Sequence, residues 1–500
     1  MVGAFLLYAS AACGEELLPI GTQKQLLVDD HIISEKRNVT RSLGKAKKHG
    51  VVLEPSLPTD YDDNDPNANP VSLDFGFMTS VAWNEYAEKF QMWYMAWRHA
   101  GTGYAESEDG IHWTKPLVGI GTTDIDPGNI IKRAQAFSCS IDPTVPWGHP
   151  EKFKAGMDSN LDEVSQAILA YSADGIHWND YNNGEPITGR AADFHNQILW
   201  DPIKGKYRLM TRTDMGAIGG PKEFRAFRVM YHRTNDLMND TENWETVADQ
   251  IVVDDPAAEI TPDGVPRLQF HWVTCWIYEG IYFNLISLYA EDPLGMDSPT
   301  CDETIDFYIA TGRDGVNFDR SWIYERKPFI PRGGTGAFDL DRVLQASEIL
   351  TVGDEHRIYY TGRNEHPTPG VCESWQSNQI GLATLPLDRF VCFEAGDEWG
   401  HVTTKPFRLD GDTLEVNIDA SEGGFLVEVL DADHQPYVDS AKKQEFDWDN
   451  NRIYRNVDGL RLQPRWRGDR NLESLVGRVV RLRFRLRNAK LYAFQIKSND

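Results

Sequence analysis

The seven residues SEDGIHW at 107–113 return as SADGIHW at 172–178 and, more loosely, as GRDGVNF at 312–318. The intervals are 65 and 140 residues, the second about twice the first. A copy is therefore expected near 240, where YHRTNDLMNDTENW (231–244) carries the phrase with an insertion. One further interval beyond 312 reaches LATLPLDRFVCF (382–393), which keeps the polar turn and the aromatic but has lost the glycine. Five units of one kind follow, and a repeat of this length must be a supersecondary unit that buries its faces against its neighbours.

Each unit repeats an internal order. An apolar stretch comes first, as in FGFMTSVAW, FHNQILWD and LQFHWVTCWIY, followed by a polar turn such as IDPTVP or WDPIKGK. A second stretch alternates aromatic and apolar residues, as in KFQMWYMAW and IYFNLISLY, and a third leads into the Asp-Gly phrase. A fourth reads NIIK, EPITG, QIVVDD or KPFIP. Four short strands with tight turns predict one β-propeller blade per unit. Asp-Gly supplies a turn with positive φ, and the Trp or Phe at fixed offset is expected to fill the gap between blades. The phrase thus reads as a structural turn. The last unit lacks a fourth strand, whereas VVLEP at 51–55 precedes the first unit. It is expected to complete the fifth blade and close the ring.

From about His401 the pattern changes to strands of different spacing, among them TLEVNID, GFLVEVLDA and VVRLRFRL. Arg481, Arg483, Arg485 and Arg487 alternate with Leu482, Phe484 and Leu486, giving one buried and one basic face, as in a sandwich strand. Those arginines could meet acidic ligands, the propeller flank or solvent. The fold class is all-β, a five-bladed β-propeller followed by a C-terminal β-sandwich. The expected boundaries are a signal-like segment at 1–20, the propeller at 21–400 and the sandwich at 401–500.

Composition narrows the partners. The net charge of -26 argues against nucleic acid or an anionic membrane, which repel an acidic surface. Residues 451–500 hold 13 Lys/Arg against 4 Asp/Glu, so the preceding 450 residues carry -35. No stretch approaches 18 apolar residues, so no membrane span is expected. The start MVGAFLLYASAACGEE has an apolar run before Ala9-Ser10-Ala11, which fits a signal-peptidase site, and Cys13 is a weak lipoprotein signal. A secreted or periplasmic location is expected. The cysteines at 139, 275, 301, 372 and 392 show no CxxC pairing, so neither a zinc site nor a disulfide framework can be read. No metal site or cofactor is expected, although the central channel of a propeller has room for a structural cation.

Five Asp-Gly-marked blades followed by a sandwich of about 100 residues resemble the five-bladed propeller glycoside hydrolases related to families 32 and 43. LLVDDHII near the start, with TTKPFRLDGDTLEVNIDA and LYAFQIK near the end, is similar to a bacterial secreted branch of that superfamily. The WMNDPNG and RDP elements of its fructan-cleaving members are absent, so catalytic residues do not transfer by motif. The phrase also resembles the sialidase Asp-box but lacks the residue between Asp and Gly. The resemblance implies a carbohydrate substrate or ligand.

Topology locates the site. The innermost strands of a propeller converge on one end of the channel, and that end is reached by their starts and by the crossings from second to third strands. Asp142, Asp201 and Glu279 fall at the opposite hairpins. Cleaving a glycosidic bond needs a protonated acid and an ionised carboxylate on opposite sides of it, and the pocket must raise one carboxyl pKa. The preferred trio is Asp74, Asp193 and Glu348, with Asp339 and Glu259 in reserve. Arg98, Arg190, Arg212 and Arg363, with His195, His271 and His366, are candidates for substrate hydroxyls or a carboxylate. Trp93, Trp97 and Trp272 could stack on sugar faces. The expected function is cleavage or binding of a neutral carbohydrate by a carboxylate acid/base pair. The alternative is a non-catalytic carbohydrate-binding or scaffold propeller, and a sialidase-like or lyase activity comes third.

Overall fold

Aromatic and apolar side chains on both faces of a short strand need cover on both sides, and antiparallel sheets standing face to face provide it. In the computed structural model this is how the repeats are used. The structure describes residues 17–61, 72, 74–96, 101–118, 128–134, 136–158, 166–188, 196–214, 225–250, 268–291, 303–364, 377–439 and 444–498. Blade I runs Ser80–Asn84, Lys89–Met95, Thr102–Ser107 and Ile130–Lys132, each strand antiparallel to the last. Blade II is Ser138–Ile141, Phe153–Asp158, Ala167–Ser172 and Trp178–Asp180. Blade III is Asn196–Asp201, Lys206–Asp214, Arg225–His232 and Trp244–Gln250. Blade IV has three long strands, Leu268–Tyr278, Ile281–Glu291 and Glu303–Gly312, and its fourth position is marked by a bridge between Phe307 and Ile330.

Blade V is built from both ends of the unit. Arg342–Gln345 and its continuation Leu350–Val352 pair with Glu355–Arg363, which is followed by Gln379–Pro386. Its outermost strand is Lys47–Leu53, with Ile380 opposite Leu53. The early strand closes the ring as expected, and Lys48 adds an ion pair of 2.5 Å to the buried Asp339 of the same blade. One expected strand is different. EPITG does not form the fourth strand of blade II, because Trp178–Asp180 takes that place directly after the Asp-Gly turn.

The repeated phrase is a seam. Asp109 accepts backbone N–H bonds from Ile111 and His112 at 2.8 Å, Asp174 does the same for Ile176 and His177, and Asp314 for Val316 and Asn317. The glycines that follow have φ of 74°, 81° and 78°. Their carbonyls and missing side chains then meet the preceding blade. Trp93 of blade I donates its indole N–H to the Gly175 carbonyl at 2.6 Å, and Tyr359 of blade V donates its hydroxyl to that of Gly110 at 2.6 Å. A Cβ on Gly175 would lie 2.7 Å from the Trp93 ring, and one on Gly315 would lie 2.9 Å from Arg208. Trp113 packs edge-on against Tyr359 across the blade V seam.

Gly175→Ala should therefore cost both a left-handed backbone and an overpacked seam, about 2–4 kcal/mol in denaturant unfolding. Gly205→Ala is the control: its φ is 63° but no atom lies within 4 Å of the added carbon. It should cost only about 1 kcal/mol. Equal costs would show that the turn is not a seam.

Asp201 and Asp142, at the far hairpins, are seam residues as well. Tyr282 of blade IV donates to Asp201 at 2.8 Å, Tyr207 of blade III donates to Asp142, and Lys154 pairs with Asp142 at 3.1 Å.

The other compact unit comprises residues 1–45 and 385–500, and the propeller unit is 46–384. The division lies at other residues than the expected 20/21 and 400/401, because Ile33–Arg37 and Thr40–Leu43 pair with Gly400–Thr404 and Val391–Ala395 in the sheet of the C-terminal unit. Its core holds Val416, Ile418, Phe425, Val427, Leu482, Phe484 and Leu486. Three of the four arginines are engaged within the unit. Arg481 is buried and bonds to the carbonyls of Thr404 and Ala432, Arg483 pairs with Glu35 at 3.5 Å, and Arg485 pairs with the buried Glu428 at 2.5 Å. None of the described helices is long and apolar enough to cross a membrane.

Candidate functional site

The innermost strands of all five blades meet in one hydrogen-bonded ring. The Ser347 hydroxyl of blade V lies 2.8 Å from that of Ser80 in blade I and 2.7 Å from that of Ser138 in blade II. Gln197 of blade III donates to the carbonyls of Ser347 and Cys275, and accepts from the Cys275 N–H of blade IV at 2.7 Å. Gln345 donates to the carbonyls of Trp272 and Leu285. Five first strands around one axis are what a five-bladed propeller requires, and the backbone and hydroxyl bonds hold that axis rigid.

Ser347 reaches the axis because its strand bulges. Gln345 pairs with Tyr360 and Leu350 with Arg357, so four residues, 346–349, stand opposite the two at 358–359. Extra residues re-aim side chains, and here the bulge delivers Ser347 and, next to it, Glu348.

Among the described residues the Glu348 carboxyl makes no ion pair and no hydrogen bond. Its charge is felt by the buried thiols of Cys139 on blade II and Cys275 on blade IV. The residue keeps partial accessibility although protein surrounds it, as expected for a side chain lining an internal channel. Burial without a compensating cation disfavours the carboxylate and pushes the Glu348 pKa up to about 7. A carboxylic acid that stays protonated near neutrality can donate a proton.

The remaining candidates divide three ways. Asp74 sits in the turn before blade I, its carbonyl accepting the Phe77 N–H at 3.3 Å, and Thr79 a few residues on accepts the Ser347 N–H at 2.8 Å. Phe77 in turn faces His271 at the start of the blade IV inner strand, ring centroids 6.2 Å apart. Arg212 is buried and donates to the His271 carbonyl at 3.2 Å, tying blade III to blade IV at the same level. Backbone and ring contacts thus connect the turn at Asp74, His271 and Arg212. Asp339 and Arg363 belong to blade V. Asp339 is buried and held by Lys48 and by the Tyr360 hydroxyl at 3.1 Å, and the Arg363 carbonyl accepts the Asp341 N–H. Asp193, Glu259, Arg98, Arg190, His195 and His366, like Trp97, lie outside the described residues.

Two stacking candidates are corrected. Trp93 and Trp272 are fully buried, and Trp93 spends its N–H on the blade II turn, so neither offers a face to sugar. What the sequence reading missed is Asp60. It is buried, pairs with the buried Lys115 at 2.6 Å, and accepts the N–H groups of Ser56 and Leu57 at 2.9 Å. Lys115 also lies over the rings of Phe75 and Tyr94. The pair braces the approach to blade I; the only signal for it was one more Asp in the acid-rich run 60–65.

A surface cavity of about 700 Å³ on the outside of blade I is lined by Lys89, Glu106, Asp109 and His112 among others. It is far in the fold from the inner strands, and those four groups already pair with one another, Lys89 with Glu106 at 3.1 Å and His112 with Asp109 at 2.7 Å. Among the described residues no group of three or more His, Cys, Asp or Glu could hold a metal ion.

No family profile and no curated protein matches the chain. Among solved structures it is similar to an N-acetylgalactosamine deacetylase from F. plautii in complex with blood group B trisaccharide, at 14% identity and TM-score 0.41, over 71% of this chain and 97% of that one. It is also similar to an exo-inulinase from Aspergillus awamori, at 12% identity and TM-score 0.40, over 85% of this chain and 96% of that one. A thermostable family-43 glycoside hydrolase matches at 12% identity and TM-score 0.41, over 65% of this chain and 92% of that one. Likenesses this distant carry no argument about chemistry, and the all-β, five-bladed fold stands on the strand pairing of this chain itself.

Proposed function

We propose that the propeller unit is a glycoside hydrolase acting on a neutral carbohydrate, with Glu348 as the proton donor to the leaving oxygen. One observation supports this reading: an acidic side chain in a bulge of the blade V inner strand, next to the Ser347 that meets the other blades, without a partner among the described residues and with its pKa raised to about 7. A carboxyl desolvated by surrounding protein and left without a partner is costly, and such perturbed acids cluster at functional sites. Asp74 is proposed as the ionised partner, with Asp193 and Glu259 as alternatives. Asp339 is set aside because Lys48 and Tyr360 already occupy it. His271 and Arg212 would orient sugar hydroxyls at the mouth. Export follows in the same reading from the apolar run before Ala9-Ser10-Ala11.

The test is a panel of neutral oligosaccharides incubated with the wild type and with Glu348→Gln, with new reducing ends as the readout. Cleavage of at least one by the wild type, and cleavage about 10²-fold slower or more by the variant, is expected. Cleavage at equal rates by both would remove Glu348 from the chemistry. Retention of a glycan without cleavage would favour the binding propeller instead.

A further inference from the structure

The sandwich unit carries two tryptophans that its core does not absorb. Trp399 and Trp448 come from separate turns and are both partly exposed. Their rings meet edge to face, centroids 5.2 Å apart. Gly424 makes room for the first: a Cβ there would stand 3.3 Å from the Trp399 ring. On the strands either side of Gly424, directly opposite it, stand Arg455 and Arg487. The Arg487 guanidinium lies 5.8 Å from the Trp399 centroid, and that of Arg485 lies 5.1 Å from the Trp448 centroid.

From this cluster we infer a second, non-catalytic binding site on the sandwich unit, for the chain of a neutral polysaccharide. Indole faces cover the apolar C–H faces of a pyranose ring, and guanidinium groups donate fixed pairs of hydrogen bonds to its hydroxyls. Charge selects the class of ligand. Arg485 is neutralised by Glu428, and Asp397, Glu398, Asp447 and Asp449 flank the two tryptophans in sequence. These four acids outnumber the two remaining guanidinium groups, Arg455 and Arg487, so the segments that carry the patch lack the net positive charge that a polyanion needs. The choice of a carbohydrate rests on the hydrolase reading of the propeller, but the site is in the other unit and is testable apart from it.

The experiment is affinity electrophoresis of the full chain through gels containing xylan, mannan, inulin or, as the acidic comparison, polygalacturonate. In parallel, turnover is followed on a short neutral oligosaccharide. Retardation by a neutral polymer is expected, about tenfold weaker in Trp399→Ala and Arg487→Gln, with turnover of the short substrate unchanged. Glu348→Gln should show the converse, full retardation without turnover. Should Trp399→Ala fail to fold, Trp448→Ala and Arg487→Gln decide. The inference is overturned if the wild type is retarded by none of the neutral polymers or more strongly by polygalacturonate. Undiminished retardation of the folded patch variants, or its loss in Glu348→Gln, overturns it equally.

Discussion

Glu348→Gln should lower turnover about 10²–10⁴-fold, the usual contribution of a positioned general acid, while making the protein more stable. The two effects have one cause. In the unfolded chain Glu348 has an ordinary pKa near 4.5, whereas burial in the channel holds it near 7 when folded. A raised acid pKa means that the folded state keeps its proton between those values when the unfolded state has lost it. Stability is therefore intact below about pH 4.5, falls as pH rises towards 7, and levels off above. The difference amounts to about 3 kcal/mol. Glutamine keeps the shape and removes the ionisation, so the variant should gain that stability above pH 7 and gain nothing at pH 4. A structural Glu348 would behave oppositely, with glutamine destabilising at every pH and turnover unaffected.

The second large effect concerns the ring. Deleting residues 1–56 removes Lys47–Leu53, the outer strand of blade V, and leaves the Gln379–Pro386 edge unpaired. An open hydrophobic edge invites aggregation, and the Lys48 charge that compensates buried Asp339 goes with it. Loss of an uncompensated buried partner costs about 3–5 kcal/mol by itself, so the truncated chain is expected not to fold cooperatively. Because the same deletion strips Ile33–Arg37 and Thr40–Leu43 from the other unit, Leu53→Ala isolates the closure. Leu53 is buried opposite Ile380, and its truncation should cost about 2–5 kcal/mol by denaturant unfolding. A deletion chain that melts like the wild type would refute closure by this strand.

The fold was largely legible because a turn that needs both an Asx cap and a left-handed glycine cannot vary. SEDGIHW and SADGIHW counted the blades, and the missing fourth strand pointed to residues 51–55. The fourth strand of blade II was misread because EPITG is richer in strand-forming residues than Trp178–Asp180, yet proximity to the turn prevails. The site was harder. ASEIL reads as an uninterrupted strand, and nothing in five residues reveals that 346–349 bulge. Alternation assigned Leu482, Phe484 and Leu486 to the core correctly. The partners of the intervening arginines, Glu35 and Glu428, are distant in sequence and invisible to a local pattern.

The most direct test of an axial acid that works while protonated is the pH dependence of kcat/KM for a neutral oligosaccharide. The wild type should lose activity as pH rises through about 7, where Glu348 gives up its proton, and the residual activity of Glu348→Gln should lack that limb. A wild-type profile that is flat from about pH 5 to 9, or the same alkaline limb in the variant, would contradict the assignment.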